Sequence, residues 1–408
     1  MGSFARALVE RKQVSVERIW DLILNEGTKA LAGVNVTRER VFRQSVAFAC
    51  GRVLSQGCAQ VPFRLYRAKN VNGLRQVMPA VDHDLYDPLT YKPNGWQTSF
   101  EFRELAVIHA VYAGNAYAFK NFQRGGYREL ILLNPDRVKP IQSPLDYSMS
   151  YEVRGDDGTK RTLAADLIWH IRGPGWNGTS GWDTLQVARE ALGLSIALEE
   201  SHSRLHAKGV RPSGTYSVEG ELDEQQYKDL KAWLLAENAS ADNAGMPMIL
   251  DRSAKWLPTA MSGVDSQHIE TRRLQIEEVC RFYGVQPIMV FSSDKATTYA
   301  SAEQMFIAHV VHTLAPWYKR IEDSANVNLL TKEERAAGYY FKFIAAGLLR
   351  GALKDRGDYF AKALGAGGGP AWMTQDEIRE MDELNPMGGE ASKLPPRSGT
   401  PAAQGNED

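Results

Sequence analysis

Three cysteines in 408 residues, Cys50, Cys58 and Cys280, are too few and too odd in number for a disulfide framework. Their apolar or helical contexts predict buried, reduced thiols. Excess charge of one sign is also missing: 48 basic side chains against 49 acidic ones leave a net charge of −1 at pH 7. Without a global basic field the chain is not built to grip nucleic acid tightly, although a protein that lets DNA pass needs no such field. No apolar run approaches the roughly 18 residues of a membrane span. The opening "MGSFARALVERKQ" lacks the apolar stretch of a secretory signal, and Arg6 stands where a myristoylation signal carries Ser or Thr. There is no tandem repeat. Together these absences predict a soluble, intracellular chain with no membrane partner.

What is present is an ordinary globular composition, 43% hydrophobic and 24% charged, long enough for two or three linked subdomains. Residues 40–60 place Phe42, Val46, Ala49, Val53 and Leu54 near helical spacing. "VPFRLYRAK" reads as a strand, with Val61, Phe63 and Leu65 alternating against Arg64 and Tyr66. A helix is expected from about Ser99 to Ala113, stopped by Gly114. The short pieces "NAYAFKNF", "ELILLNP", "YEVRG" and "DLIWHIR" are strand-like, so the first third is mixed α+β.

From Asp183, which with Gln186 forms a capping box, a helix carries Leu185, Leu192 and Ile196 on one stripe until Gly209 and Pro212. Residues 213–262 then form an inserted module: strand "GTYSVEG", helix "DEQQYKDLKAWLLAE", a polar turn and strand "MPMILD". A second helix, about Asp265 to Tyr283, sets Ile276, Val279, Cys280 and Tyr283 at i, i+3, i+4 and i+7 before Gly284. After a polar stretch, "FSSDKATTYAS", a long helix puts Phe306, Val310 and Leu314 on one stripe, with Pro316 breaking its hydrogen bonding. "GYYFKFIAAGLL" returns to strand, and Thr374 with Glu377 makes another capping box. Residues 387–408, rich in Gly, Pro and Ser, are expected to be a disordered tail.

Four patterns invite a chemical reading. In "WHIRGPGWNGTSGWD", Gly173, Gly175 and Gly178 spell G-x-G-x-x-G. A dinucleotide site needs a βαβ unit with an acidic residue about 20 positions on. Glu199 and Glu200 fall inside a helix instead, and Pro174 and Trp176 crowd the loop, so the motif reads as a structural turn. "GTSG" fails as a nucleophile elbow because Trp182 replaces its second glycine. His202 and His206 lie four apart on a helix near Glu199, enough for a metal hypothesis, with His309 and His312 as further ligands if the helices meet; the alternative is surface or interface histidines. The loop of Ser292, Ser293, Asp294, Lys295, Ala296, Thr297 and Thr298 carries small hydroxyls and one base. It is either an ordinary surface loop or one that makes weak, sequence-blind phosphate contacts.

Several blocks, in order, resemble the portal (head–tail connector) family of tailed double-stranded DNA bacteriophages. They are "KPNGWQTSFEFRELAVIHAVYAGNAYAF", "ELILLNPDRVKP", "LIWHIRGPGWNGTSGWDTLQVAREALGL", "GVRPSGTYSVEGELDEQQYKDLKAWL", "DSQHIETRRLQIEEVCRFYGVQP", "LAPWYKRIEDSANVNLL", "LLRGALKDRGDYF" and "MTQDEIREMDELNPMGG". Departures are local: Gln286 separates Gly-Val from Pro287, "MTQDE" replaces Leu-Thr-Pro-Asn-Glu, and Ala352 stands where an acid is usual.

The resemblance implies an α+β portal fold and a closed ring, usually of twelve subunits, that is not an enzyme and uses no cofactor. It implies an N-terminal arm over 1–29, a wing over 30–182, stem helices over 183–208 and 263–286, and a clip over 209–262. A tunnel loop over 287–299, a kinked helix returning to the wing over 300–349, a crown over 350–386 and a tail over 387–408 complete the chain. The tunnel loop would face double-stranded DNA that passes non-specifically. The clip would dock the large terminase subunit and later the head-completion (adaptor) protein, through Glu221, Asp223, Glu224, Lys228, Lys231, Asn238, Asp242 and Asn243. Major capsid or scaffold protein would surround the ring, in the virion after assembly in the host cytoplasm. The competing hypothesis is a metal-dependent enzyme built on His202, His206 and Glu199.

Overall fold

The computed structural model describes residues 29–71, 74–122, 128–155, 157–207, 214–217, 223–229, 232, 255–258, 264–291, 299–345, 353–366, 369–381 and 384–395. In chain order they form α1 (Arg38–Phe42), α2 (Ser45–Ala59), β1 (Phe63–Val71), β2 (Leu74–Pro79), α3 (Tyr86–Thr90) and α4 (Ser99–Tyr112). Six strands come next: β3 (Asn115–Phe122), β4 (Arg128–Leu133), β5 (Val138–Gln142), β6 (Met149–Arg154), β7 (Lys160–Ala164) and β8 (Ile168–Arg172). Then come α5 (Thr184–Val187), α6 (Arg189–Ala207), β9 (Gly214–Ser217), β10 (Lys255–Pro258), α7 (Val264–Tyr283) and α8 (Tyr299–His309). The chain closes with α9 (Ala315–Asn328), α10 (Lys332–Ala336), β11 (Tyr339–Phe343), α11 (Leu353–Ala363) and α12 (Gln375–Met381). None of these helices is long and apolar enough to cross a membrane. Two compact units result, one of residues 1–48 with 185–282, the other of residues 49–184 with 283–408.

In the first unit, α6 buries Leu192 and Ile196 and α7 buries Val279 and Cys280, the residues their spacing nominates. Polar side chains sew the unit together. Gln275 Nε2 donates to the Ala191 carbonyl at 2.7 Å, Glu190 Oε2 accepts from the Leu31 N–H at 2.8 Å, and Arg40 pairs with Glu200. Strands β9 and β10 pair antiparallel, Tyr216 opposite Trp256. The strand expected at "MPMILD" lies outside the described residues, and the strand found beside "GTYS" is "KWLP".

The second unit contains three antiparallel sheets, ordered β11-β1-β2, β4-β3-β8 and β5-β6-β7. In β1, Phe63 and Leu65 point into the core as their alternation predicts. Tyr117, Val138, Tyr151 and Ile168 form a buried cluster that packs the β5-β6-β7 sheet on the β4-β3-β8 sheet. Helix α4 starts with a capping box, Thr98 and Glu101 exchanging bonds, and stacks Phe102 on Trp169 with ring centroids 6.3 Å apart.

Two expectations need correcting. The stripe of Phe42, Val46, Ala49, Val53 and Leu54 is not the buried face of the early helix; among these only Leu54 is fully buried and Phe42 is exposed. The inward face of α2 is made of small residues, Ala47, Cys50, Gly51, Ser55 and Cys58, with Leu54. The reason is close approach: a Cβ at Gly51 would overlap the Tyr112 ring, and one at Gly57 would meet Leu314. Residues 387–395 are not a disordered tail. The buried Asp376 carboxylate accepts from the N–H groups of Met387 at 2.7 Å and Gly388 at 3.0 Å and from Ser392 Oγ at 2.5 Å, pinning that segment. The Thr374–Glu377 capping box that positions Asp376 forms as expected.

Helix α9 seals the open edges of two sheets. On one face Glu322 Oε1 accepts from the Phe343 N–H at 2.8 Å and Asn326 Oδ1 from the Phe341 N–H at 2.7 Å, along β11. Two residues round the helix, Ser324 Oγ donates to the His170 carbonyl of β8 at 2.8 Å and accepts from Trp169 Nε1 at 3.0 Å. Glu322→Ala strands a buried N–H and is expected to cost about 1–3 kcal/mol by urea unfolding. Asp323→Ala, which loses only an exposed pair with Lys319, is expected to cost less than about 1 kcal/mol. Equal losses in the two variants would show that the edge contact adds nothing.

Candidate functional site

The G-x-G-x-x-G segment lies between β8 and α5; a Cβ at Gly173 or Gly175 would meet backbone, while Gly178, at φ +70°, faces open space. Gly114 takes φ +71° at the end of α4, and its carbonyl accepts from the Gly173 N–H at 2.7 Å. A Cβ at Gly114 would overlap the Trp182 carbonyl, and one at Gly181 would overlap the Gly114 carbonyl. Two stretches of main chain therefore touch where a phosphate cradle would need a cavity. Asn177 Oδ1 accepts from the Thr179 and Ser180 N–H groups, both at 3.1 Å. Trp182 N–H returns to the Pro174 carbonyl at 2.7 Å, and Thr184 Oγ1 donates to the Val111 carbonyl at 2.6 Å.

Asn115 holds this junction. Its Oδ1 accepts from the Gly181 N–H at 2.8 Å, and its Nδ2 donates to the carbonyls of Ala113 at 3.1 Å and Gly181 at 3.2 Å. Those backbone partners fix the amide's orientation, and so the tautomer of the next residue in the network. His170 Nε2, 2.9 Å from Asn115 Oδ1, must donate; Nδ1, 3.1 Å from Tyr151 Oη, accepts. Burial, with a smaller push from the Arg172 charge, lowers the His170 pKa from 6.5 to about 3.

The segment expected to face a channel follows Phe291 and precedes α8. Helix α7 ends at Tyr283, packed edge-on against Tyr112 with ring centroids 5.6 Å apart, and Gly284 turns the chain at φ +64°. Thr313 Oγ1 donates to the Gly284 carbonyl at 2.8 Å, tying the return helix to the departing stretch of chain. Pro287–Val290 forms a 3-10 turn capped by Phe291 in the left-handed region, φ +61°, with its side chain 90% exposed. The loop residues Ser292, Ser293, Asp294, Lys295, Ala296, Thr297 and Thr298 lie outside the described residues. Beyond them α8 runs into a π turn, Val310–Leu314, in which the Ala315 N–H reaches back to Val310. Pro316 lacks the N–H that would serve the His312 carbonyl, so the break expected at proline is a widened turn. Val310 and Leu314 are buried, as expected; Phe306 is exposed.

Of the docking residues named from sequence, Asp223, Glu224 and Lys228 fall in a short helical stretch, 223–229, that is exposed throughout. Asp223 Oδ1 caps its start through the Glu224 N–H at 2.7 Å, and Lys228 pairs with Glu224 at 2.8 Å. Glu221, Lys231, Asn238, Asp242 and Asn243 lie outside the described residues. The metal reading has no support. Among the described residues no three His, Cys, Asp or Glu side chains converge; His309 is buried while His312 is exposed. The side chains of His202 and His206 lie outside the described set. Sequence reasoning missed Asn94 and Asn115, whose one visible signal is an Asn beside a Gly at a turn. Buried Asn94 accepts from the Trp96 and Gln97 N–H groups and donates to the Leu130 carbonyl at 2.9 Å.

Because His170 titrates at 6.5 when unfolded and near 3 when folded, the unfolded chain takes up the proton first as pH falls. Its contribution is complete above pH 6.5 and is lost progressively toward pH 3. Below 6.5 the wild type is expected to lose up to about 1.4 kcal/mol per pH unit from this group. His170→Gln is less stable at pH 7 and lacks that slope, so the two urea midpoints converge on acidification. Parallel pH profiles would show that the folded protein leaves His170 freely titratable.

The family model described as phage portal protein matches residues 45–383. The probable portal protein of Streptomyces phage phiC31 is 28% identical over 379 residues, covering 90% of this chain and 80% of its own length. The portal protein of Enterobacteria phage HK97 is 26% identical over 375 residues, with coverage of 88% and 83%. Among solved structures, the neck of a native gene transfer agent particle, computed with C12 symmetry, aligns with a TM-score of 0.59 at 22% identity. That alignment covers 91% of this chain and 99% of the other. An HK97-family portal protein from Corynebacterium diphtheriae aligns with a TM-score of 0.56 at 15% identity, covering 77% and 96%. Across nearly all of its described length, then, the chain belongs to the phage portal protein family.

Proposed function

We propose that this chain is one subunit of a ring at a capsid vertex, through which a phage genome is packaged, retained and ejected. The observation that carries this reading is the family match over residues 45–383. The twelvefold symmetry of the aligned gene transfer agent neck supports a closed homo-oligomer, in which each copy offers two different surfaces to its neighbours. The protein itself performs no chemistry in this role; a partner motor supplies ATP hydrolysis.

The division of labour runs along the expected segments. Residues 183–208 and 263–286 act as stem, and 209–262 act as clip for the large terminase subunit and, later, the adaptor protein. The exposed helical stretch 223–229 offers that partner charges of both signs. The tunnel loop, 287–299, acts on the passing duplex through Lys295 and its hydroxyl residues. Its flanks suit that role, because Thr313 clamps Gly284 and a short loop can respond to DNA without loosening the unit behind it. A single base per subunit gives brief, sequence-blind phosphate contacts, and the near-neutral chain lets the duplex slide in either direction. Capsid or scaffold protein encloses the ring, which is assembled in the host cytoplasm and ends in the virion.

Light scattering on the purified chain is expected to give about twelve times its 45.4 kDa mass, as annular particles by negative stain. A monomer or dimer under all assembly conditions would sink the ring. Lys295→Ala is expected to leave ring mass unchanged and to alter DNA packaging or retention in particles. Unchanged packaging would remove Lys295 from the mechanism.

A further inference from the structure

The second unit carries two aromatic patches at opposite ends of one helix. At the N-terminal end of α4, Tyr91 is 62% and Trp96 65% exposed, and Phe100 projects from the first turn. The loop that presents them is rigid, its turn held by Asn94 and by the Gly95 N–H donating to Glu129 Oε1 at 3.2 Å. At the C-terminal end, the junction held by Asn115 presents Trp176, 87% exposed, and the half-exposed Trp182. Arg320, which donates to the Gly173 carbonyl at 3.1 Å and lies over the Trp317 ring, borders that patch. Fourteen residues of α4 separate the two ends, about 21 Å at 1.5 Å per residue.

Trp and Tyr are the side chains that most often carry binding energy, and both patches hold them on loops braced by internal hydrogen bonds. The surroundings have opposite charge. Asp87, Glu101 and Glu129 flank the first patch against Lys92 and the part-buried Arg103; Arg172 and Arg320 flank the second against Asp183. Two unlike, charge-complementary patches on one rigid unit cannot satisfy each other within a chain, but they can between chains. We propose that they are the two faces of one head-to-tail contact between adjacent copies of this protein. Tyr91, Trp96 and Phe100 of one copy pack on Trp176 and Trp182 of the next. This rests on the ring reading and assigns its contact surface.

The test is cross-linking in the assembled protein with the aromatic side chains left in place. Gly95→Cys and Thr179→Cys put one thiol beside each patch; the native Cys50, Cys58 and Cys280 are buried and do not compete. With a short bis-maleimide, a mixture of the two variants is expected to give covalent dimers, and neither variant alone should. Trp176→Ala is expected to raise the chain concentration needed for assembly at least about tenfold. Full-mass rings without the mixed cross-link, or dimers from Gly95→Cys alone, would overturn the contact while leaving the ring. A chain that never assembles would remove both.

Discussion

A sheet edge inside a protein presents backbone N–H and C=O groups that must find partners. In the larger unit the side chains of a single helix meet this constraint along one edge of each of two sheets. Glu322 and Asn326, one turn apart on α9, take the places of a missing strand beside β11. Ser324, between them in sequence and round the helix in space, does the same for β8. The end of the helix is held in turn: Lys120 reaches the Asn328 carbonyl at 2.6 Å, and Arg335 reaches the carbonyls of Asn326 and Leu330. The two sheets are thus joined by hydrogen bonds of fixed direction, which set the angle between them more firmly than apolar contact would.

The junction between β8 and α5 obeys the same logic at smaller scale. Its glycines bring backbone against backbone, and a buried amide, Asn115, with a neutral imidazole, His170, satisfies what the close approach leaves over. A motif that in other folds opens a space for phosphate here closes one. The difference lies in the surroundings of the strand. Here β8 has an antiparallel partner and the chain makes a hairpin-like return, where a dinucleotide fold has a helix pointing its N-terminus at a ligand.

What the sequence made legible was apolar periodicity. The stripes of α6 and α7, the alternation in β1 and the capping box before α12 all appear where spacing puts them. Polar burial was not legible, because nothing in a linear pattern separates Glu322 or Asn115 from a solvated residue. Small-residue packing was hidden for a related reason: Gly51 and Cys50 mark the inward face of α2 only once Tyr112 is known to lie against it. Residues 387–395 depart from expectation because composition predicts disorder, while one carboxylate, Asp376, can order a run of Gly- and Ser-rich chain. For the loop proposed to face a channel, type and order of residues were readable. The physical reading of its role came from the family resemblance more than from Lys295 itself.

The π turn at Val310–Leu314 has a geometric effect beyond its own residues. One extra residue in a helical turn advances the azimuth by about 100°. Everything before it, including the point at which α8 leaves the loop, is therefore rotated relative to an uninterrupted extension of α9. Helix α9 is phase-locked by its bonds to two sheets, so the turn sets a dial between a fixed scaffold and the segment that carries the loop. Insertion or deletion of a single residue there would turn α8 about the helix axis relative to α9, and would also shift Thr313 and Leu314 from their places at Gly284 and Gly57.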